Sequence, residues 1–172
     1  MRASTDGPRI RPGNQRARVR MTASEIDDYL RGHTSDIVMS TMHPDGSIHS
    51  VAMYYGFADG RLGVLTKQKS QKARNVRRDP RATFLVTSGT HYDELRGVEL
   101  AGRVDLSTDR ALMLRLAESI RTRRGQAADP QTLCATVHNR VAIMITPSRV
   151  VSWDHAKLVA AQDLIDQQDF SL

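Results

Sequence analysis

The chain has 172 residues, of which 40% are apolar, and its formal net charge is +6. This length predicts one domain with a core of its own, and no apolar segment predicts a membrane span or a secretory signal. A single cysteine, Cys134, excludes intramolecular disulfides and cysteine-type metal clusters. We therefore expect a cytoplasmic protein in which Cys134 is a small buried side chain.

Most of the positive charge lies in the first 20 residues, which hold six arginines and one aspartate. The Gly, Pro and Arg content of residues 1–20 predicts a disordered tail. The rest of the chain is nearly neutral, which argues against a nucleic-acid partner. Thr22 and Glu25 have the spacing of a capping box, so we expect ordered structure to begin near residue 21.

The first half of the folded part predicts a short helix and three strands joined by tight turns, at residues 23–31, 37–42, 48–57 and 62–66. Two consecutive tight turns, one of them containing Asp45-Gly46, indicate an antiparallel meander. His43 and His49 flank the first turn and can meet across it, and we interpret them as a shared surface patch.

The second half predicts a short helix at 70–78, strands at 82–87 and 97–106, and a helix capped by Ser107 or Thr108. That helix ends with Arg121, Arg123 and Arg124, which suits the negative end of its dipole. Asp129-Pro130 opens another helix. A sixth strand at 141–146 is extended or followed by residues 149–153, and residues 159–172 form a polar tail.

Runs of strands interrupted by few helices disfavour a parallel doubly wound fold. The pattern instead predicts a mainly β protein with short peripheral helices. Six antiparallel strands of this length fit a small closed or split β-barrel.

The start of the helix at 70–78 has the most informative composition. Lys67, Lys69, Ser70 and Lys72 crowd a helix N-terminus, where partial positive charge disfavours cations. A bound anion would explain them, because free backbone N–H groups with Lys and Ser side chains form a phosphate site. The alternative is a solvated helix start that binds nothing.

Aromatic and sulfur-containing side chains are concentrated in the strand at 50–57. A flat apolar ring can lie against such a strand while its phosphate reaches Lys72. The alternative is that these are core and interface residues. The six histidines lack metal-ligand spacing, so we expect no metal site.

Residues 21–158 resemble the split β-barrel family that includes pyridoxamine 5′-phosphate oxidases and flavin- or deazaflavin (F420)-dependent oxidoreductases. The resemblance rests on the Asp45-Gly46 hairpin, on residues 50–57, 66–72, 74–81 and 96–103, and on the segment 152–158. The piece from Lys72 to Pro80 is the most specific. The chain looks most like the actinobacterial branch that uses F420, and it lacks the richer arginine set of the classical oxidases.

The resemblance implies a homodimer with a cofactor in each interface groove. It implies a phosphate site at Thr66, Lys67, Ser70, Gln71 and Lys72, with Asn75 supporting the loop. It implies that the cofactor ring lies against Ser50, Val51, Ala52, Met53 and Tyr54. It also implies that Trp153 and His155 approach the groove from the partner chain.

The implied activity is hydride transfer between F420 and a small unsaturated or quinone-like substrate. An FMN-dependent oxidoreductase and a non-catalytic flavin, F420 or haem-binding protein remain alternatives. Tyr54, Tyr55 and His155 are candidate proton donors, and solvent is another. F420 carries a phosphodiester and a polyglutamate tail, over which the Arg-rich residues 1–20 can fold.

Overall fold

The computed structural model describes residues 15–158, and strands dominate this range. In chain order the elements are α1 (Gln15–Val19), α2 (Ala23–Gly32), β1 (Ile37–Met42), β2 (Ile48–Met53), β3 (Tyr55–Ala58), β4 (Arg61–Lys67), α3 (Gln71–Arg78), β5 (Arg81–Ser88), a 3₁₀ turn (Tyr92–Glu94), β6 (Arg96–Ser107), α4 (Arg110–Arg123), α5 (Pro130–Val137) and β7 (Arg140–Asp154). No helix in this range is long and apolar enough to cross a membrane.

All seven strands form one antiparallel sheet in the order β2-β1-β5-β6-β7-β4-β3. β2 and β3 lie at opposite edges of this sheet, yet only Tyr54 separates them in the chain. The sheet must therefore curl until its two edges meet at Tyr54. This geometry confirms the predicted split barrel.

The number of strands differs from the predicted six, because residues 48–57 form two strands. Met53 pairs with Ile37 of β1, whereas Tyr55 pairs with Val64 of β4. The chain thus changes from one edge of the sheet to the other at Tyr54, and one continuous strand cannot follow both partners.

β7 runs without interruption through Pro147, so residues 149–153 extend the sixth predicted strand and do not follow it as a separate one. Pro147 lies opposite Gly102, beside a bulge between Ala101 and Gly102. A bulge is one of the few places in a sheet that tolerate a residue without an N–H group.

Two clusters of buried side chains form the core. The first fills the barrel and includes Ile37, Phe84 and Val98. The second lies between α4 and the strands β4 and β7, and it contains Leu116 and Ile120 of α4. The N-cap of α4 is Asp109, which accepts from the Ala111 amide at 2.9 Å, and not Ser107 or Thr108 as predicted.

The prediction that Cys134 is buried is wrong. α5 begins after the predicted Asp129 cap and buries Val137, but Cys134 lies on its exposed side. The Arg110 guanidinium lies 3.1 Å from the Cys134 sulfur.

Ordered structure begins before residue 21, within the range predicted as a tail. α1 ends at the buried Val19, and the Met21 amide donates to Ser152 Oγ at 3.1 Å. Residues 1–14 and 159–172, the remainder of the two predicted tails, lie outside the described residues.

The predicted capping box is present at the start of α2. The Thr22 amide donates to Glu25 Oε2 at 2.6 Å, and the Glu25 amide donates to Thr22 Oγ1 at 3.3 Å. Lys157 Nζ lies 2.7 Å from the same carboxylate. The hydrogen bond from Lys157 and those from Thr22 lower the pKa of Glu25 to about 2.

We expect Glu25→Gln to remove part of the acid sensitivity of folding. A carboxyl group with a depressed pKa in the folded state stabilises the fold above its unfolded pKa, here 4.5, and this contribution is lost as the pH falls towards about 2. Urea unfolding of the wild type and of Glu25→Gln across this range measures the difference. Equal pH dependence of the two proteins would contradict the ion pair with Lys157.

Candidate functional site

A cleft of about 560 Å³ opens beside the seam at Tyr54. Its walls come from the ends of β2 and β4, the start of β7, the N-terminus of α3, the end of α4 and the connection to α5. The lining residues are Asp36, Ala52, Met53, Tyr54, Leu65, Thr66, Lys67, Ser70, Lys72, Ile120, Arg121, Gln126, Thr136 and Arg140. This volume is typical of small-molecule sites.

The N-terminus of α3 forms one wall of this cleft. Ser70 is the N-cap, and its hydroxyl accepts from the Ala73 amide at 3.3 Å and lies 3.0 Å from the Thr66 hydroxyl. The first turn of α3 contains no acidic residue. The amides of Gln71 and Lys72 are the first of the helix and have no intrahelical acceptor, so they are available to an anion.

Four cationic side chains line the cleft against one carboxylate, that of Asp36. The cations are Lys67, Lys72, Arg121 and Arg140. None of them forms an ion pair with a carboxylate of residues 15–158. We call Thr66, Lys67, Ser70 and Lys72, together with the first amides of α3, the anion seat.

Two of these cations face each other directly across the sheet. Lys67 at the end of β4 is paired with Arg140 at the start of β7. Like charges in directly opposite positions are destabilising. In addition, burial lowers the pKa of Lys72. An anion in the cleft would offset the repulsion between Lys67 and Arg140 and would stabilise the charged form of Lys72.

Seven of the twelve predicted cofactor-binding residues line this cleft: Ala52, Met53, Tyr54, Thr66, Lys67, Ser70 and Lys72. Two others, Gln71 and Asn75, lie behind the anion seat. Gln71 Nε2 donates to Asn75 Oδ1 at 2.9 Å, and Asn75 Nδ2 donates to Thr41 Oγ1 at 3.0 Å. Asn75 is fully buried, so this bridge fixes α3 on β1.

Ser50 and Val51 do not line the cleft. Ser50 is exposed on the outer face of the sheet, where its hydroxyl lies 2.8 Å from that of Ser40. Val51 is half-buried, and it alternates with the exposed Ser50 and Ala52 along β2.

Trp153 also lies away from the cleft of its own chain. It is paired with Gly97 near the end of β7, whereas Arg140 at the start of β7 lines the cleft. The approach of Trp153 and His155 from a partner chain stays a prediction.

The three candidate proton donors differ in position. Tyr54 lines the cleft and is 50% exposed, with the Arg124 guanidinium 3.6 Å from its ring centroid. The hydroxyl of Tyr55 donates to the Leu30 carbonyl at 2.8 Å inside the protein, and burial raises the pKa of Tyr55. His155 Nδ1 lies 2.9 Å from the carbonyl oxygen of Tyr92. Only Tyr54 among them can reach a ligand in this cleft.

Sequence reasoning missed the wall that α4, α5 and β7 contribute. The sequence pattern assigns Arg121 to the negative end of the helix dipole and not to a binding site. Arg140 lies just before the strand predicted at 141–146 and therefore receives no role. A weak signal existed in Arg140, a cation at the start of a strand otherwise rich in apolar residues. Residues 15–158 hold no cluster of three or more His, Cys, Asp or Glu side chains placed for a metal ion.

The sequence model of the pyridoxamine 5′-phosphate oxidase family matches residues 22–154. The solved structure of conserved hypothetical protein Rv2991 from Mycobacterium tuberculosis is 37% identical, with a TM-score of 0.78, over 83% of this chain and 91% of that one. No curated protein matches the sequence.

Two more distant structures show the fold alone. An F420 reductase is 23% identical, with a TM-score of 0.55, over 72% of this chain and 94% of its own. HutZ, the haem storage protein from Vibrio cholerae, is 12% identical, with a TM-score of 0.60, over 76% of this chain and 94% of its own. With the family match spanning most of the folded part and the split barrel in place, the chain belongs to the pyridoxamine 5′-phosphate oxidase family.

Proposed function

We propose that this protein is an F420-dependent oxidoreductase that transfers a hydride between the deazaflavin and a small unsaturated or quinone-like substrate. The observation that carries the proposal is the cleft in which four cations face one carboxylate beside the free amides of α3. Such a site favours a cofactor with more than one anionic group.

The number and position of the cations favour F420 over FMN. The anion seat, with Lys67 and Lys72, is sufficient for one phosphate group. Arg121 and Arg140 line the same cleft without a carboxylate partner in the described part of the chain. FMN ends at its phosphate, whereas the polyglutamate tail of F420 supplies further carboxylates for these arginines.

The rest of the cleft suits an apolar ring system. Ala52, Met53, Leu65 and Ile120 give it apolar walls beside Tyr54. Bound F420 would supply the hydride chemistry. The residues of the chain would hold its anionic groups, orient its ring and exclude water. The hydroxyl of Tyr54 is the proton donor that we propose from the protein side.

We also propose that the protein is a homodimer. A second groove, of about 580 Å³, lies on the outer sheet face, and Ile48, Ser40 and Arg149 are among its lining residues. Ile48 is 69% exposed, and no residue that lines this groove belongs to a helix. A second copy would cover Ile48 and bring a partner surface next to Ser50, which explains why Ser50 lies outside the cleft of one chain.

A haem-binding function has less support from the cleft. Haem iron needs an axial ligand such as His, Tyr or Cys. The lining residues include no histidine or cysteine, and Tyr54 carries a guanidinium on its ring.

Parallel titrations with F420 and FMN test the proposal. We expect F420 to bind with a Kd on the order of micromolar and FMN to bind much more weakly. The fluorescence of each cofactor is the suitable signal, since Trp153 lies outside the cleft of its own chain. The same preparation should have the mass of two chains in solution and should oxidise reduced F420 with a small quinone.

Each alternative predicts a different result. Tight binding of FMN but not of F420 would replace the proposal with a flavin-dependent oxidoreductase. Binding of F420 without oxidation by any quinone or enone would indicate a cofactor carrier. Binding of neither cofactor would overturn the assignment of the cleft.

A further inference from the structure

The hairpin between β1 and β2 brings two histidines together beside the anion seat. The ring centroids of His43 and His49 lie 5.3 Å apart, with an edge-to-face angle of 74°. This confirms that the two side chains meet across the hairpin. Two imidazoles at this separation do not readily carry a proton each.

Hydrogen bonds fix this pair relative to the start of α3. Gln71, the first residue of α3, places its Nε2 atom 3.4 Å from His43 Nδ1. The same Nε2 atom donates to Asn75, which is anchored on Thr41 of β1. The hairpin and the helix start therefore form one polar unit, in which the imidazoles have a defined position next to Lys72.

Burial and the charges around His49 oppose its protonation when no anion is present. Burial, together with the positive charges of His43 and Lys72, lowers the pKa of His49. Lys72 and Arg78 face the pair from α3, and Arg78 donates to the Met42 carbonyl directly before His43. Asp45 is a carboxylate in the same hairpin. Its hydrogen bonds from Ser47 lower its pKa, and nearby His43 acts in the same direction.

We propose that His43 and His49 flank the anion seat from outside the cleft, next to Gln71 and Lys72, and that binding of an anion in the seat is accompanied by proton uptake by the pair. This inference rests on the proposed function, since the anion is the phosphate group of F420. A negative charge beside Lys72 offsets the repulsion between Lys72 and a proton on His49. A proton then adds a second positive charge on the side of the ligand that faces the hairpin.

The proposal fixes the sign of the pH dependence. If the ligand raises the affinity of the pair for a proton, then protonation raises the affinity for the ligand by the same factor. We expect F420 to bind about fivefold more tightly at about pH 6 than at about pH 8, at low ionic strength. The difference should shrink as salt is added.

NMR of protein with ¹³C-labelled histidines tests the proposal directly. The experiment follows the titration midpoints of the imidazoles with and without saturating F420, in the wild type and in two variants. His49→Gln removes one member of the pair. His91→Gln is the matched control, because His91 is exposed in the loop before β6 and belongs to neither the cleft nor the hairpin.

We expect saturation with F420 to raise the midpoint of one imidazole of the pair, and to leave that of His91 unchanged. His49→Gln should lose most of the fivefold pH dependence of F420 binding, whereas His91→Gln should retain it. Any ionisation of F420 itself is common to all three proteins and cancels in the comparison.

The contradicting outcomes are distinct. Tight F420 binding with unchanged midpoints of both imidazoles would overturn this inference and leave the proposed function intact. Absence of F420 binding to the wild type would overturn the proposed function, and this inference with it.

Discussion

Lys72→Ala should weaken F420 binding about 10- to 100-fold, because a hydrogen bond to a charged group in a partly desolvated site contributes more than one between neutral groups. Lys72 is half-buried at the second position of α3 and lines the cleft. Burial already lowers the pKa of its ammonium group. The folded protein thus keeps the Lys72 ammonium group in a partly desolvated position. An anionic ligand there would offset the cost of this desolvation.

Fluorescence titration of the variant with F420 measures this loss, and the salt dependence gives a second signal. Removal of one phosphate-binding cation should make the affinity less sensitive to ionic strength. Thermal unfolding should show little change, since α3 is held on the barrel by Asn75 and Val76, which are both buried.

Lys69→Ala is the matched control. Lys69 belongs to the same loop and carries the same charge, but it is exposed and does not line the cleft. A general electrostatic effect of the loop would weaken binding equally in the two variants. Equal losses, or full affinity of Lys72→Ala, would exclude the anion seat as the phosphate site.

The sequence predicted the part of the site that is built from residues close together in the chain. A loop, an N-cap and the first turn of α3 lie within a few positions of each other. Capping rules and helix electrostatics therefore placed Ser70 and Lys72 at the anion seat. The fold class could be predicted for the same reason, since alternation of apolar residues and turn residues are local signals.

The remainder depends on contacts between distant parts of the chain. Arg140 reaches the cleft because β7 pairs with β4, and Arg121 because α4 packs over β3. No local pattern encodes either pairing. The break at Tyr54 also depends on distant contacts. Residues 48–57 have the sequence pattern of one strand, and only the closure of the barrel makes the chain pass from one edge of the sheet to the other at Tyr54.

Trp153 packs against a glycine of its own chain. Gly97 and Trp153 are paired across β6 and β7, and the indole ring lies directly over the glycine. A Cβ atom at position 97 would overlap that ring. The tryptophan therefore has a packing role within its own chain, whatever it contributes to a partner.

Gly97→Val should accordingly destabilise the fold by about 1–3 kcal/mol, the usual cost of overpacking. Val98 beside it is fully buried and both strands are held by neighbouring pairs, so the backbone has little freedom to move away. The indole must rotate out instead. Because Trp153 is the only tryptophan, a red shift of its emission reports that rotation directly.

Two further comparisons show whether Gly97→Val destabilises the fold by overlap with the indole ring or because valine is unfavourable at position 97 for another reason. Gly32→Val at the end of α2 should leave stability nearly unchanged, since no atom lies within 4 Å of a Cβ there. In a Trp153→Ala background, Gly97→Val should cost much less than in the wild type, because the ring that it displaces is gone. Chemical unfolding of the four proteins of this cycle measures the coupling. If Gly97→Val costs as much without the indole as with it, the glycine is required by the backbone of β6 and not by Trp153.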